Sequence, residues 1–73
     1  MEVILHDQSR LQLTDAEALH PEFRRGFEMG KRHETPAQGD HFGEATWIGW
    51  WVGLGLYCNR TAEQVRRALQ PCD

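Results

Sequence analysis

Seventy-three residues, with eleven acidic against eight basic side chains and a formal charge of −3, describe one small domain, residues 1–73, near the lower size limit for a single core. The acidic balance speaks against a protein that chiefly grips phosphate backbones, since that affinity rests on Lys and Arg displacing counterions. It excludes direct sequence-specific nucleic-acid binding as the first expectation and favours a protein partner with basic surface. Three Trp and three Phe compensate for the short chain, because each can bury roughly 150 to 250 Å².

Residues 2 to 6, Glu-Val-Ile-Leu-His, are apolar and β-branched, and Leu11 and Leu13 alternate with polar neighbours. Asp7-Gln8-Ser9 between them is turn-forming, so residues 1–14 read as a β-hairpin. An isolated hairpin is marginal in water, so it must pack on the helices of the same chain or pair its edge with another chain. Thr14-Asp15-Ala16-Glu17 has the spacing of a capping box and opens a short helix reaching Leu19. His20-Pro21 restarts the chain as a second helix running to about Arg32, with Phe23, Gly26, Phe27 and Gly30 inward at i, i+3, i+4, i+7.

Residues 34 to 43, with Pro36, Gly39 and Gly43, have no apolar period and read as a loop. A third helix is expected from Glu44 to about Tyr57, its Gly49 and Gly53 forming a small-xxx-small strip whose helix-propensity cost calls for close packing. Thr61-Ala62-Glu63-Gln64 is a second capping box, opening a last helix with Val65 and Leu69 inward and Pro71 beyond its end. The fold expected is therefore α+β: an N-terminal β-hairpin packed on a small bundle of three to four short helices over residues 15–69.

Few residues suggest chemistry. Cys58 and Cys72 form no CxxC, and His33 and His41 lack the short paired spacing of structural zinc sites, so free thiols and capping or surface histidines are expected. Cys58 or Ser9 is the only nucleophile to weigh, and no elbow, phosphate loop or carboxylate pair accompanies either; the expectation is no enzyme, no cofactor and no metal. Without an apolar leader, and with Ile48 to Leu56 far too short to span a bilayer, a cytoplasmic monomer with no membrane association is expected. Leu54 through Leu69 can be laid on a helix-turn-helix, with Arg60 standing where an apolar residue is usual; a plain capped helix is the favoured alternative.

For a protein-binding surface the candidates are Glu22, Glu28, Lys31 and Arg32 on the second helix with Trp50 or Trp51 on the third. A mixed-charge face beside exposed aromatics supplies both steering and an anchor. The alternative surface is the hairpin edge, Glu2 to His6, taking a partner strand.

Two resemblances extend this reading. Arg25-Gly26-Phe27-Glu28-Met29-Gly30 followed by Trp47-Ile48-Gly49-Trp50 resembles the ribosome modulation factor family, which implies two paired helices and ribosome binding; its members are strongly basic and lack the hairpin. Taken whole, the length, the start Met-Glu-Val-Ile-Leu-His-Asp and the aromatic centre resemble the small early regulators of Xanthomonas phages that bind host RNA polymerase. That resemblance implies binding near the N-terminus of the β′ subunit, inhibition of initiation by weakened sigma-factor retention, and antitermination, in the cytoplasm of the host bacterium.

Overall fold

The structure, a computed structural model, describes residues 1–35 and 42–70. It consists of a two-stranded antiparallel hairpin, β1 (Glu2–Ile4) and β2 (Arg10–Gln12), followed by α1 (Asp15–Ala18), α2 (Pro21–Lys31), α3 (Glu44–Leu54) and α4 (Ala62–Ala68). The α+β architecture expected from the sequence is thus the one observed. The body of the expected loop, together with His41, Pro71 and Cys72, lies outside the described residues.

In the hairpin Glu2 pairs with Gln12, Val3 with Leu11 and Ile4 with Arg10. The turn closes through Leu5 N–H donating to Ser9 O at 2.8 Å and Gln8 N–H donating to Leu5 O at 2.9 Å. Gln8 takes a left-handed φ of 70° there, and Asp7 Oδ1 accepts from the Ser9 amide and hydroxyl. Alternation turns Val3, Leu5 and Leu13 inward, where they join Phe23, Ala45, Ile48, Cys58, Val65 and Leu69 in one core. The hairpin is therefore an integral wall of the domain. It also gains a third, strand-like neighbour: Leu5 forms a parallel bridge with Cys58, whose N–H donates to Ile4 O at 2.7 Å.

Both capping boxes form as the sequence spacing implies. The Thr14 hydroxyl accepts from Glu17 N while the Glu17 carboxylate accepts from Thr14 N, and Thr61 and Gln64 repeat the arrangement at α4. His20 caps α2, its Nδ1 accepting from Glu22 N at 3.2 Å, with Pro21 in the first turn.

Helices α2 and α3 meet through a reciprocal glycine crossing. A Cβ placed on Gly26 would overlap the carbonyl oxygen of Thr46, on Gly30 that of Trp50, on Gly49 that of Phe23 and on Gly53 that of Phe27. Each glycine thus faces the carbonyl three residues before a glycine of the other helix. The Cα–H that stands in place of a side chain points at an oxygen, a contact worth about 0.5 to 1 kcal/mol. Several such contacts offset the roughly 1 kcal/mol that each glycine costs a helix.

The third helix is shorter than the sequence suggests. It stops at Leu54 because Gly55 turns left-handed at φ 81°, with Gly55 N–H donating to Val52 O and Leu56 N–H to Trp51 O, both at 3.0 Å. Leu56 and Tyr57, expected inside the helix, fall in the link to α4 and are exposed. That link runs from Gly55 to Thr61, longer than the turn of about three or four residues in a helix-turn-helix. With Cys58 held against Leu5, residues 54–69 make an extended link and a plain capped helix rather than that motif.

Candidate protein-binding surface

The residues expected to form a binding surface each have contacts within the chain. Glu22 has an internal duty: its Oε2 accepts from the hydroxyl of Thr46, at 2.9 Å, and Thr46 is fully buried. The same carboxylate lies 3.9 Å from Arg25, which stacks over the Phe42 ring at 5.3 Å. Glu28 pairs with Arg24 at 3.5 Å along the outer side of α2. Lys31 lies over the Phe27 ring at 5.4 Å.

Around the end of α2, Arg32 and Trp50 share Glu34. Arg32 grips its carboxylate with Nε at 2.9 Å and Nη2 at 3.3 Å, while the Trp50 indole N–H donates to its backbone oxygen at 2.7 Å. The guanidinium beside Glu34 holds that carboxyl below its usual range. Arg32 and Trp50 are thus brought together, and Trp51 is turned away from Trp50 by the roughly 100° between successive helical positions. All three tryptophans are half-buried, joined by edge contacts of Trp47 with Phe42 at 5.1 Å and with Trp50 at 5.5 Å.

Trp51 belongs to a second surface that sequence reasoning missed. Arg60 stacks on its ring at 5.1 Å and reaches across to Glu44 with Nε at 2.8 Å and Nη2 at 3.1 Å. On one side of this stack lies a depression of about 340 Å³ lined by Trp51, Leu56, Tyr57 and Asn59. On the other lies an open groove of about 460 Å³ lined by Glu44, Arg60, Gln64, Arg67 and Ala68. Leu56 and Tyr57 are 56% and 58% exposed, among the most exposed large apolar side chains in the chain. The signal that could have revealed them is Gly55, read as a helix stop rather than as a third small residue in the helix.

The remaining candidates are constrained. Cys58 is fully buried, and burial pushes its thiol up to about 11, so at neutral pH it is protonated and shielded. Ser9 is exposed in the hairpin turn, hydrogen-bonded to Asp7. Of the hairpin edge Glu2 to His6, the carbonyl of Ile4 is already taken by Cys58. Among the described residues no group of three His, Cys, Asp or Glu is placed to hold a metal ion, and no helix is long and apolar enough to cross a membrane.

Comparison with known proteins finds no matching family model, no similar curated protein and no similar solved structure.

Proposed function

We propose that this protein is a non-catalytic regulator that acts by binding another protein, and that its partner is the RNA polymerase of a host bacterium. The observation that carries the first half is the run of large side chains left at the surface around the end of α3: half-buried Trp51 and exposed Leu56 and Tyr57, bordered by arginines held in ion pairs. Trp, Tyr and Arg are the residues that dominate protein-binding hot spots. The choice of polymerase, at the N-terminal region of β′, rests on the whole-chain resemblance to phage regulators. In this reading the protein weakens sigma-factor retention, inhibits initiation and acts as an antiterminator in the host cytoplasm.

A ribosome-binding function is favoured by one observation: the Arg25-to-Gly30 and Trp47-to-Trp50 runs do meet as a pair of helices. Yet Gly26, Gly30 and Gly49 in those runs are buried against backbone, so the motif accounts for the helix pairing and leaves little of itself for RNA. Passing bacterial lysate over the immobilised protein separates the readings. Polymerase subunits retained in near-stoichiometric amount, with promoter-directed transcription inhibited by the free protein, are expected. Retention of ribosomal proteins and rRNA without polymerase would replace this reading with the ribosomal one.

A further inference from the structure

We propose that the depression walled by Trp51 and Tyr57 is a seat for an uncharged, proline-containing segment of the partner, bound in the polyproline II conformation. This rests on the protein-binding reading and adds to it the face and the chemistry of the segment recognised.

Charge on this side of the molecule cancels locally, Arg60 being held by Glu44, Arg66 by Glu17 and Arg67 by Glu63. It therefore selects neither an acidic nor a basic segment. The residues that line the depression of about 340 Å³, Trp51, Leu56, Tyr57 and Asn59, carry no charge themselves. They offer two aromatic rings, an aliphatic side chain and hydrogen-bond donors. Trp51 meets the ring of Trp47 and the guanidinium of Arg60, and among the described residues no ring contact joins it to Tyr57, so the two rings wall the depression without closing it. The indole N–H of Trp51, the hydroxyl of Tyr57 and the side-chain amide of Asn59 have no hydrogen-bond partner among the described residues. Trp51 is half-buried, yet no buried side-chain nitrogen or oxygen is left unsatisfied among those residues, so its N–H reaches solvent.

The occupant follows from what this seat can and cannot give. Its backbone is mostly spent: Leu56 N–H donates to Trp51 O, Cys58 N–H donates to Ile4 O, and Asn59 O accepts from Arg60 Nη1. An added β-strand would find few of the main-chain groups on which such pairing depends. An amphipathic helix brings anchors spread over two turns to an elongated groove, more than this short depression receives. A second copy of the chain would present the same concave face in a two-fold contact, and two depressions do not fill each other. A polyproline II segment meets the remaining conditions. It docks in aromatic-lined grooves through side chains, and its carbonyls, which make no internal hydrogen bond, can accept from the Trp51, Tyr57 and Asn59 donors. Both sides are ordered in advance, the segment by its prolines and the seat by the Arg60 stack on Trp51 at 5.1 Å and the Leu56 hydrogen bond. Little conformational entropy is left to lose on binding.

Two experiments test the proposal separately from the identity of the partner. In the first, isotopically labelled protein is titrated with a blocked peptide of proline and leucine, and with its counterpart in which glycine replaces proline. Saturable amide shifts confined to residues 51 to 59 are expected, with the Trp51 indole N–H resonance moving downfield and the glycine peptide binding about tenfold more weakly for want of preorganisation. Tyr57→Ala should weaken the proline peptide about tenfold, the loss typical of a hot-spot residue, with Arg67→Ala unchanged; both positions are exposed, so folding is retained. Absence of shifts at residues 51 to 59, an equal response to the glycine peptide, or shifts there on concentrating the protein alone, the sign of a second copy on this face, would overturn the proposal. In the second, purified polymerase is bound by the unaltered protein and by Tyr57→Ala, with and without excess proline peptide. Weaker binding by the variant and release by the peptide are expected. Polymerase binding that is indifferent to both defeats the proposed seat while leaving the polymerase reading intact. Absence of polymerase binding by the unaltered protein removes the polymerase reading, and the peptide titration then decides the seat.

Discussion

Glu22 illustrates how a side chain on the outer edge of a helix can serve the interior. Its carboxylate receives the hydroxyl of Thr46, a buried polar group, and without it that hydroxyl must turn back to the carbonyl of its own helix or go unsatisfied. Removing one partner of a buried hydrogen bond costs about 1 to 3 kcal/mol, whereas removing both can be nearly neutral. Glu22→Ala should therefore destabilise the protein by about 1 kcal/mol, and Thr46→Val introduced into that variant should recover most of the loss. Urea unfolding of the two single variants and the double variant measures this; strictly additive losses would show that the two groups do not act on each other. The same hydrogen bond gives Glu22, an exposed residue of a mixed-charge helix, a structural role as well.

At the scale of elements, the α2–α3 crossing is the feature whose energetics are most sharply defined. Alanine is the better helix former by about 1 kcal/mol, but a Cβ at Gly49 meets the backbone carbonyl of Phe23, which cannot turn aside as a side chain would. Gly49→Ala should thus destabilise by about 2 kcal/mol net, within the usual range for overpacking, and Gly49→Leu by more. Gly55→Ala has open space around it and a left-handed backbone at φ 81°, so it should cost only about 1 kcal/mol, with Gly55→Asn milder still. Thermal unfolding of the two alanine variants tests the ordering; a Gly49→Ala protein as stable as the parent would mean that the helices are not in backbone contact.

These elements also mark what was legible in the sequence. Capping boxes at Thr14 and Thr61, the proline start of α2 and the glycine spacing all express local rules, and each was found where expected. The end of α3 was not, because Gly55 continues the run of glycines at 49 and 53, and its left-handed backbone and open surroundings are not written in the residue type. Misplacing that end hid Leu56 and Tyr57. The bridge of Leu5 to Cys58 joins positions too distant in sequence for any period to signal, and with it the orientation of the candidate docking face was out of reach.

For the molecule as a whole, the Cα trace spans 31 × 30 × 17 Å, a slab with room for one layer of core. So thin a shape relies on ties between elements distant in sequence, and Arg66 supplies one. From α4 it holds both oxygens of Glu17 on α1, at 2.6 and 2.8 Å, and donates to the backbone oxygen of Gln12 on β2 at 3.1 Å. The Glu17 side chain is only 14% exposed. Its burial raises the carboxyl pKa, but the Thr14 amide, the Arg66 guanidinium and the Thr14 hydroxyl outweigh this and bring it below its ordinary 4.5. A carboxyl that titrates lower in the folded state binds fewer protons there than in the unfolded chain. Its stabilisation is accordingly complete above 4.5 and is lost as pH falls through the folded value. Asp7, Glu34 and Glu44 are shifted in the same direction, yet their pairs are exposed and screened, so Glu17 should dominate. Glu17→Gln isolates the contribution, since glutamine can keep the capping box, as Gln64 does at α4. The variant should be less stable than the parent by about 1 to 2 kcal/mol at about pH 7, in the range for a hydrogen-bonded charge. The difference should shrink as the pH is lowered below 4.5, the parent's melting temperature falling toward that of the variant. Melting curves taken between about pH 7 and about pH 3, a span that brackets the carboxyl titration, decide it, and two parallel profiles separated by a constant gap would show that the Glu17 charge does not tie α4 to α1.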